Sequence, residues 1–112
     1  MKKILVVDDE EMVRESLVIG FSRQGYDCVE AANGEEALRI FDSDPEITVG
    51  FVDIRMPGKS GLDIISEIRD NPTRKIEIVV MTGHGGIDEA VRALRLGAFD
   101  FLQKPFTPDQ AV

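Results

Sequence analysis

Apolar residues fall in short, evenly spaced runs, and between the runs they recur every three or four positions. The runs Lys3 to Val7, Asp27 to Glu30, Val49 to Val52, Ile76 to Met81 and Phe99 to Leu102 read as strands. Two of them, Ile4-Leu5-Val6-Val7 and Ile78-Val79-Val80-Met81, are apolar at every position instead of alternating, as expected of central parallel strands covered on both faces. Val13, Leu17 and Phe21, then Ile64, Ile65 and Ile68, then Ile87, Val91, Leu94 and Ala98 keep helical spacing, so the segments between strands read as amphipathic helices. Asn33 with Glu36 has capping-box form, Ser60 can cap the helix before Leu62, and Gly25 and Gly97 sit where the first and fourth helices should end. Alternating strand and helix implies an α/β fold: a parallel sheet, right-handed crossovers and helices on both faces. Thr107-Pro108-Asp109-Gln110 announces a fifth helix with Pro at its first position, yet only about one turn follows before Val112. The fifth helix is therefore expected to be truncated, with room for an output domain beyond residue 112.

Length and charge narrow the reading. A chain of 112 residues fits one domain, here 1–112, large enough to bury a core without metal or disulfide staples. Thirteen Lys and Arg against twenty-one Asp and Glu leave a net charge of −8, and no basic run is longer than Lys2-Lys3. That balance lacks the positive footprint of phosphate-backbone recognition, so direct nucleic-acid binding by this chain is not expected. The single cysteine, Cys28, excludes an intramolecular disulfide and is expected to pack in the core. Neither a signal segment nor a run of about 18 apolar residues is present, which sets a cytoplasmic location with no membrane partner as the expectation.

The strand ends carry the chemistry. Asp8-Asp9-Glu10 follows the first strand, Asp53 the third, Thr82 the fourth and Lys104 the fifth. Ligands of open parallel sheets bind beyond the carboxyl ends of the strands, where these residues lie. Carboxylates gathered in one crevice repel one another unless a cation joins them. Mg²⁺ suits such a set, because it takes oxygen ligands and is typically held by one or two carboxylates together with phosphate oxygens. Lys104 adds a positive charge on a flexible stem and Thr82 a hydroxyl donor. Together these are the parts needed to accept a phosphoryl group on Asp53, a reaction that depends mainly on positioning and charge neutralisation.

Val6-Val7-Asp8-Asp9-Glu10, Val52-Asp53-Ile54-Arg55-Met56-Pro57-Gly58, Met81-Thr82-Gly83 and Gln103-Lys104-Pro105-Phe106 resemble, in order, the receiver domain of two-component response regulators. The resemblance covers the whole chain and implies a flavodoxin-like (CheY-like) sheet of order 2-1-3-4-5. In that order the first and third strands flank the switch point, and Asp8, Asp9 and Asp53 converge. It further implies Asp53 as phosphoacceptor, Asp8 and Asp9 as Mg²⁺ ligands with the backbone carbonyl of Arg55, and Thr82 and Lys104 on the phosphoryl oxygens. Phe101 takes the aromatic switch position, where many relatives have Tyr, and the Lys104-Pro105 bond is expected to be cis. Arg55 and His84, two beyond Asp53 and Thr82, stand where the family tunes phosphate lifetime; Arg55 is expected to reach over the phosphoryl group and His84 to screen it. The implied partners are a sensor histidine kinase or phosphotransfer protein, a fused or separate output domain, and a second copy docking through helix four, strand five and helix five. The activity is that of a switch with slow self-dephosphorylation, not of a multi-turnover enzyme.

Each feature also has a structural reading. Asp8-Asp9-Glu10 alone could be a strand end and helix cap, Asp53 a solvated loop carboxylate, and His84 a surface residue without metal partners. Met56-Pro57-Gly58-Lys59-Ser60-Gly61 lacks the first glycine of a nucleotide-binding loop and reads as a turn, and Phe99 reads as core. Thr82-Gly83-His84-Gly85-Gly86 precedes a helix and could cradle an anion, but reads as a mobile switch loop. Two other functions compete. Haloacid-dehalogenase-like phosphatases also use an aspartyl nucleophile with Mg²⁺, Thr and Lys, but place it in a D-x-D pattern after the first strand. A degenerate receiver would only mediate contacts, against which every expected acidic, Thr and Lys position is filled.

Overall fold

The computed structural model describes residues 3–56, 58–70, 76–83 and 86–104. Strands β1 (Lys3–Val7), β2 (Asp27–Ala31), β3 (Ile47–Asp53), β4 (Glu77–Thr82) and β5 (Asp100–Gln103) alternate with helices α1 (Glu11–Arg23), α2 (Gly34–Ser43), α3 (Gly61–Arg69) and α4 (Ile87–Leu96). All pairings are parallel, and the order is β2-β1-β3-β4-β5.

The apolar runs explain this layering. In β1, Leu5 and Val7 point to one face while Ile4 and Val6 point to the other, and β4 divides Ile78 and Val80 from Val79 and Met81 in the same way. One face packs against α2, α3 and α4 through Ala37, Phe41, Ile64, Ile65 and Ala93. The opposite face packs against α1 through Leu17 and Phe21, whose ring meets Phe51 at 4.8 Å between centroids. Cys28 is half-buried beside that second cluster.

The helix punctuation works as the local chemistry demands. Asn33 accepts the Glu36 N–H at 2.8 Å to cap α2. Ser60 and Asp63 form a reciprocal capping box at the start of α3. Gly97 ends α4 at φ 118° and Gly25 follows α1 at φ 94°, both in the left-handed region that other residues avoid.

One expectation needs correction. Phe99 is not core: it lies just before β5 and is 64% exposed, since its N–H bonds to the Ile78 carbonyl while the ring faces outward. The stripe Ile87, Val91 and Leu94 marks α4 as a helix but is itself partly exposed; the residues that enter the core are Ala90 and Ala93. The fifth helix, the Lys104-Pro105 bond and His84 lie outside the described residues.

Candidate functional site

The carboxyl ends of β1, β3, β4 and β5 meet at one edge of the sheet. Asp8 follows β1 directly and is fully buried, Asp53 ends β3 at 7% exposure, and Thr82 ends β4 fully buried. Carboxylate oxygens of Asp8, Asp9 and Asp53 lie within 4.8 Å of one another, with Asp9 exposed. The convergence follows from the strand order, in which β1 and β3 are neighbours.

Backbone geometry fixes each group. The Asp8 N–H bonds across to the Ala31 carbonyl, and one Asp8 carboxylate oxygen accepts the Glu10 N–H at 2.9 Å. Arg14 donates to the Asp8 carbonyl at 2.7 Å and pairs with Glu30, tying the end of β1 to β2. Beyond β3, Ile54 donates to the Met81 carbonyl, the Gly61 N–H returns to the Ile54 carbonyl, and Arg55 N–H reaches Asp53 Oδ1 at 3.3 Å. Gly61 is needed there: a Cβ would lie 2.9 Å from the Asp53 carbonyl oxygen and 2.8 Å from Ile54 Cα. Lys104 N–H bonds the Thr82 carbonyl at 2.7 Å, which turns its side chain toward the carboxylates.

Lys104 is shared between the two buried carboxylates. Its ammonium lies 2.7 Å from Asp8 Oδ2 and 3.4 Å from Asp53 Oδ2. Burial pulls the Lys104 pKa down, but the hydrogen bond to Asp8 and the charges of Asp53 and Asp8 outweigh it and leave it raised. Asp53 is raised as well: burial leads, Lys104 opposes it, and the Asp8 charge adds to it. Thr82 Oγ1 is buried with no hydrogen-bond partner among the described residues. A buried hydroxyl in that condition is costly unless a ligand oxygen completes it. The donor set suits a hard divalent ion: two buried carboxylates and one exposed one at close range, too much negative charge for one lysine to balance.

Arg55 does not lie over Asp53. Its side chain, 66% exposed, pairs with Glu89 on α4, Nε donating to Oε1 at 2.6 Å and Nη2 in contact with the same oxygen. Phe101 is half-buried against the α2–α4 side of the core, opposite Val80 in the ladder. Arg14, Gly61 and Glu89 were not singled out by the sequence; only Gly61, directly after the Ser60 cap of α3, carried a readable signal.

The class is thereby set: an open parallel α/β domain whose switch point gathers carboxylates, a hydroxyl and a lysine. Within that class the chain belongs to the response regulator receiver domain family, which matches it over residues 4–112. It is 40% identical to the regulatory protein AtoC of Escherichia coli K12 over 98% of this chain and 23% of AtoC. It is also 39% identical to the chemotaxis protein CheY1 of Helicobacter pylori over 95% of this chain and 87% of that one. The receiver domain protein from Clostridium thermocellum superposes with a TM-score of 0.91 at 35% identity, covering 99% of this chain and 88% of that one. The chain thus spans under a quarter of AtoC but most of CheY1. The protein is a two-component receiver domain, a signalling module, and the 2-1-3-4-5 sheet agrees with that. The phosphatase alternative falls, since family and strand placement both differ from it. No helix among the described residues is long and apolar enough to cross a membrane.

Proposed function

We propose that this receiver accepts one phosphoryl group on Asp53 from a histidine kinase or phosphotransfer protein and passes the resulting change in shape to an output domain. The P–N bond of the donor phosphohistidine breaks as a P–O bond forms to Asp53, and the imidazole leaves with the electron pair. The observation that carries this is the position of Lys104, whose ammonium touches both Asp8 and Asp53 and stands ready to pair with an incoming phosphoryl oxygen. The Thr82 hydroxyl, without a partner among the described residues, supplies a second donor.

Asp8, Asp9 and Asp53, with the Arg55 backbone carbonyl, would hold Mg²⁺, which when bound neutralises the carboxylates and offsets charge on the phosphoryl oxygens. Asp53 then supplies the attacking oxygen, Lys104 orients the donor, and Thr82 moves toward the new phosphate. The space so vacated lets Phe101 turn inward, a population shift biased by phosphate contacts. His84 completes the lifetime-tuning pair with Arg55. The exposed apolar stripe of Ile87, Val91 and Leu94 on α4, and exposed Phe99 just before β5, support α4 and β5 as the face on which an output domain or a second copy docks. Slow hydrolysis resets the switch, so the domain is not a multi-turnover enzyme, and it works in the cytoplasm.

Incubation with Mg²⁺ and acetyl phosphate, followed by intact-mass measurement and peptide mapping, tests this. One phosphoryl group on Asp53, absent in Asp53→Asn, is the expected result. Modification elsewhere, or none, refutes it.

A further inference from the structure

Arg55 and Glu89 form the one side-chain ion pair among the described residues that ties the loop after β3 to α4. Asp53 ends β3 two residues before Arg55, and the Arg55 N–H already bonds the Asp53 carboxylate. Glu89 sits in the first turn of α4, the helix that follows Thr82 and whose outer stripe is exposed. The pair therefore bridges the place where charge changes and the element expected to respond. A guanidinium on an exposed stem is free to exchange partners, and a phosphoryl dianion, with three acceptor oxygens and greater charge, competes strongly with one carboxylate for it.

We propose that Glu89 is a positioning residue for the receiver's reaction: it holds the Arg55 guanidinium on α4 and away from Asp53, and so sets how long the phosphoryl group survives. This rests on Asp53 being the phosphoacceptor. In the unphosphorylated protein the cation is engaged with Glu89. On phosphorylation it divides between Glu89 and the phosphoryl oxygens, and each transfer releases the first turn of α4 from the loop after β3. When Arg55 covers the phosphoryl group it obstructs hydrolysis. In that step a water oxygen forms a P–O bond as the bond from phosphorus to Asp53 breaks. The carboxylate is restored, and dihydrogen phosphate leaves with both hydrogens of the water. Glu89 shortens the lifetime by competing for the cation that slows this attack.

The test is a double-mutant cycle on the full chain, with Glu89→Gln, Arg55→Ala and the double variant, each phosphorylated with acetyl phosphate and Mg²⁺ and followed by intact mass after donor removal. Glu89→Gln lengthens the phosphoryl lifetime about two- to fivefold, the scale of one exposed ion pair. Arg55→Ala shortens it, and Glu89→Gln adds nothing in that background. Thermal unfolding of the unphosphorylated forms separates this from a structural role, since loss of helix stability would move the melting temperature and persist without Arg55. A phosphorylated protein whose lifetime ignores Glu89, or an effect of Glu89→Gln that survives Arg55→Ala, overturns the proposal alone. A wild-type protein that takes up no phosphoryl group overturns the Asp53 assignment and this proposal with it.

Discussion

Val7 and Asp8 are consecutive, and both are fully buried, yet they stand in opposite physical situations. Val7 is surrounded by apolar side chains from β1, β3 and the helices, and its burial is favourable by about 1.5–3 kcal/mol. Asp8 has lost its water to gain one backbone N–H and one lysine, with a second buried carboxylate close by. The interior of the sheet stabilises the fold; its carboxyl edge, one residue further on, works against it. Burying charge of one sign in excess is tolerated only because the interior below is rigid enough to hold it. An edge so arranged has much to gain from a cation and a phosphoryl group.

Substitutions on the two sides of that boundary should therefore differ in size and in sign. The largest effect belongs to the interior: Phe21→Ala, which empties a fully buried ring site beside Phe51, should cost about 3–5 kcal/mol in urea unfolding. Lys104→Met comes next. It leaves Asp8 and Asp53 facing each other uncompensated, and a loss of about 2 kcal/mol without divalent ions is expected, below the fully buried case because Lys104 is partly reached by water.

The pH dependence has a definite sign. Lys104 titrates higher folded than unfolded, so its contribution is fully present below pH 10.5 and fades as pH rises through the elevated folded value. That alkaline loss, measured by melting temperature against pH, should vanish in Lys104→Met. Asp53 is raised above 3.8, so the folded state holds its proton more tightly than the unfolded chain. The penalty is absent below pH 3.8, grows as pH rises from there toward the shifted value, and is complete above it. Asp53→Asn should accordingly stabilise the divalent-free protein near neutral pH, read as a higher melting temperature. The smallest effect is expected at the surface, where Phe99→Ser should change stability by less than about 0.5 kcal/mol by the same unfolding assay.

Much of the fold was legible in the sequence because the central strands are buried on both faces, and that condition leaves an uninterrupted apolar run. Ile4 to Val7 and Ile78 to Met81 could hardly be read otherwise. Strand ends were less legible, since β3 begins two residues earlier than its apolar run suggests: Ile47 is buried, but Thr48 interrupts the run. Helix α4 shows the limit of periodicity. Its larger apolar residues mark the helix, but Ala90 and Ala93 lie in the core and Ile87, Val91 and Leu94 remain exposed in part. Size does not encode direction.

The candidate site was legible for a different reason. Polar groups immediately after apolar strands lie at one edge whatever the details of packing, so Asp8, Asp53, Thr82 and Lys104 could be grouped before any contact was known. The partners they choose could not. That Lys104 lies closer to Asp8 than to Asp53, and that Arg55 turns to Glu89 thirty-four positions away, depend on side-chain competition that spacing does not record.

The claim that the carboxyl edge is held under unrelieved negative charge is tested most directly by melting wild type and Asp53→Asn with and without saturating Mg²⁺. Without the ion, Asp53→Asn should melt higher than wild type. With it, wild type should gain about 2–3 kcal/mol, the linkage expected near a hundredfold excess over the dissociation constant, while the variant gains far less, reversing the order. A wild type already more stable than Asp53→Asn in the absence of Mg²⁺, or equal gains by both proteins, would contradict it.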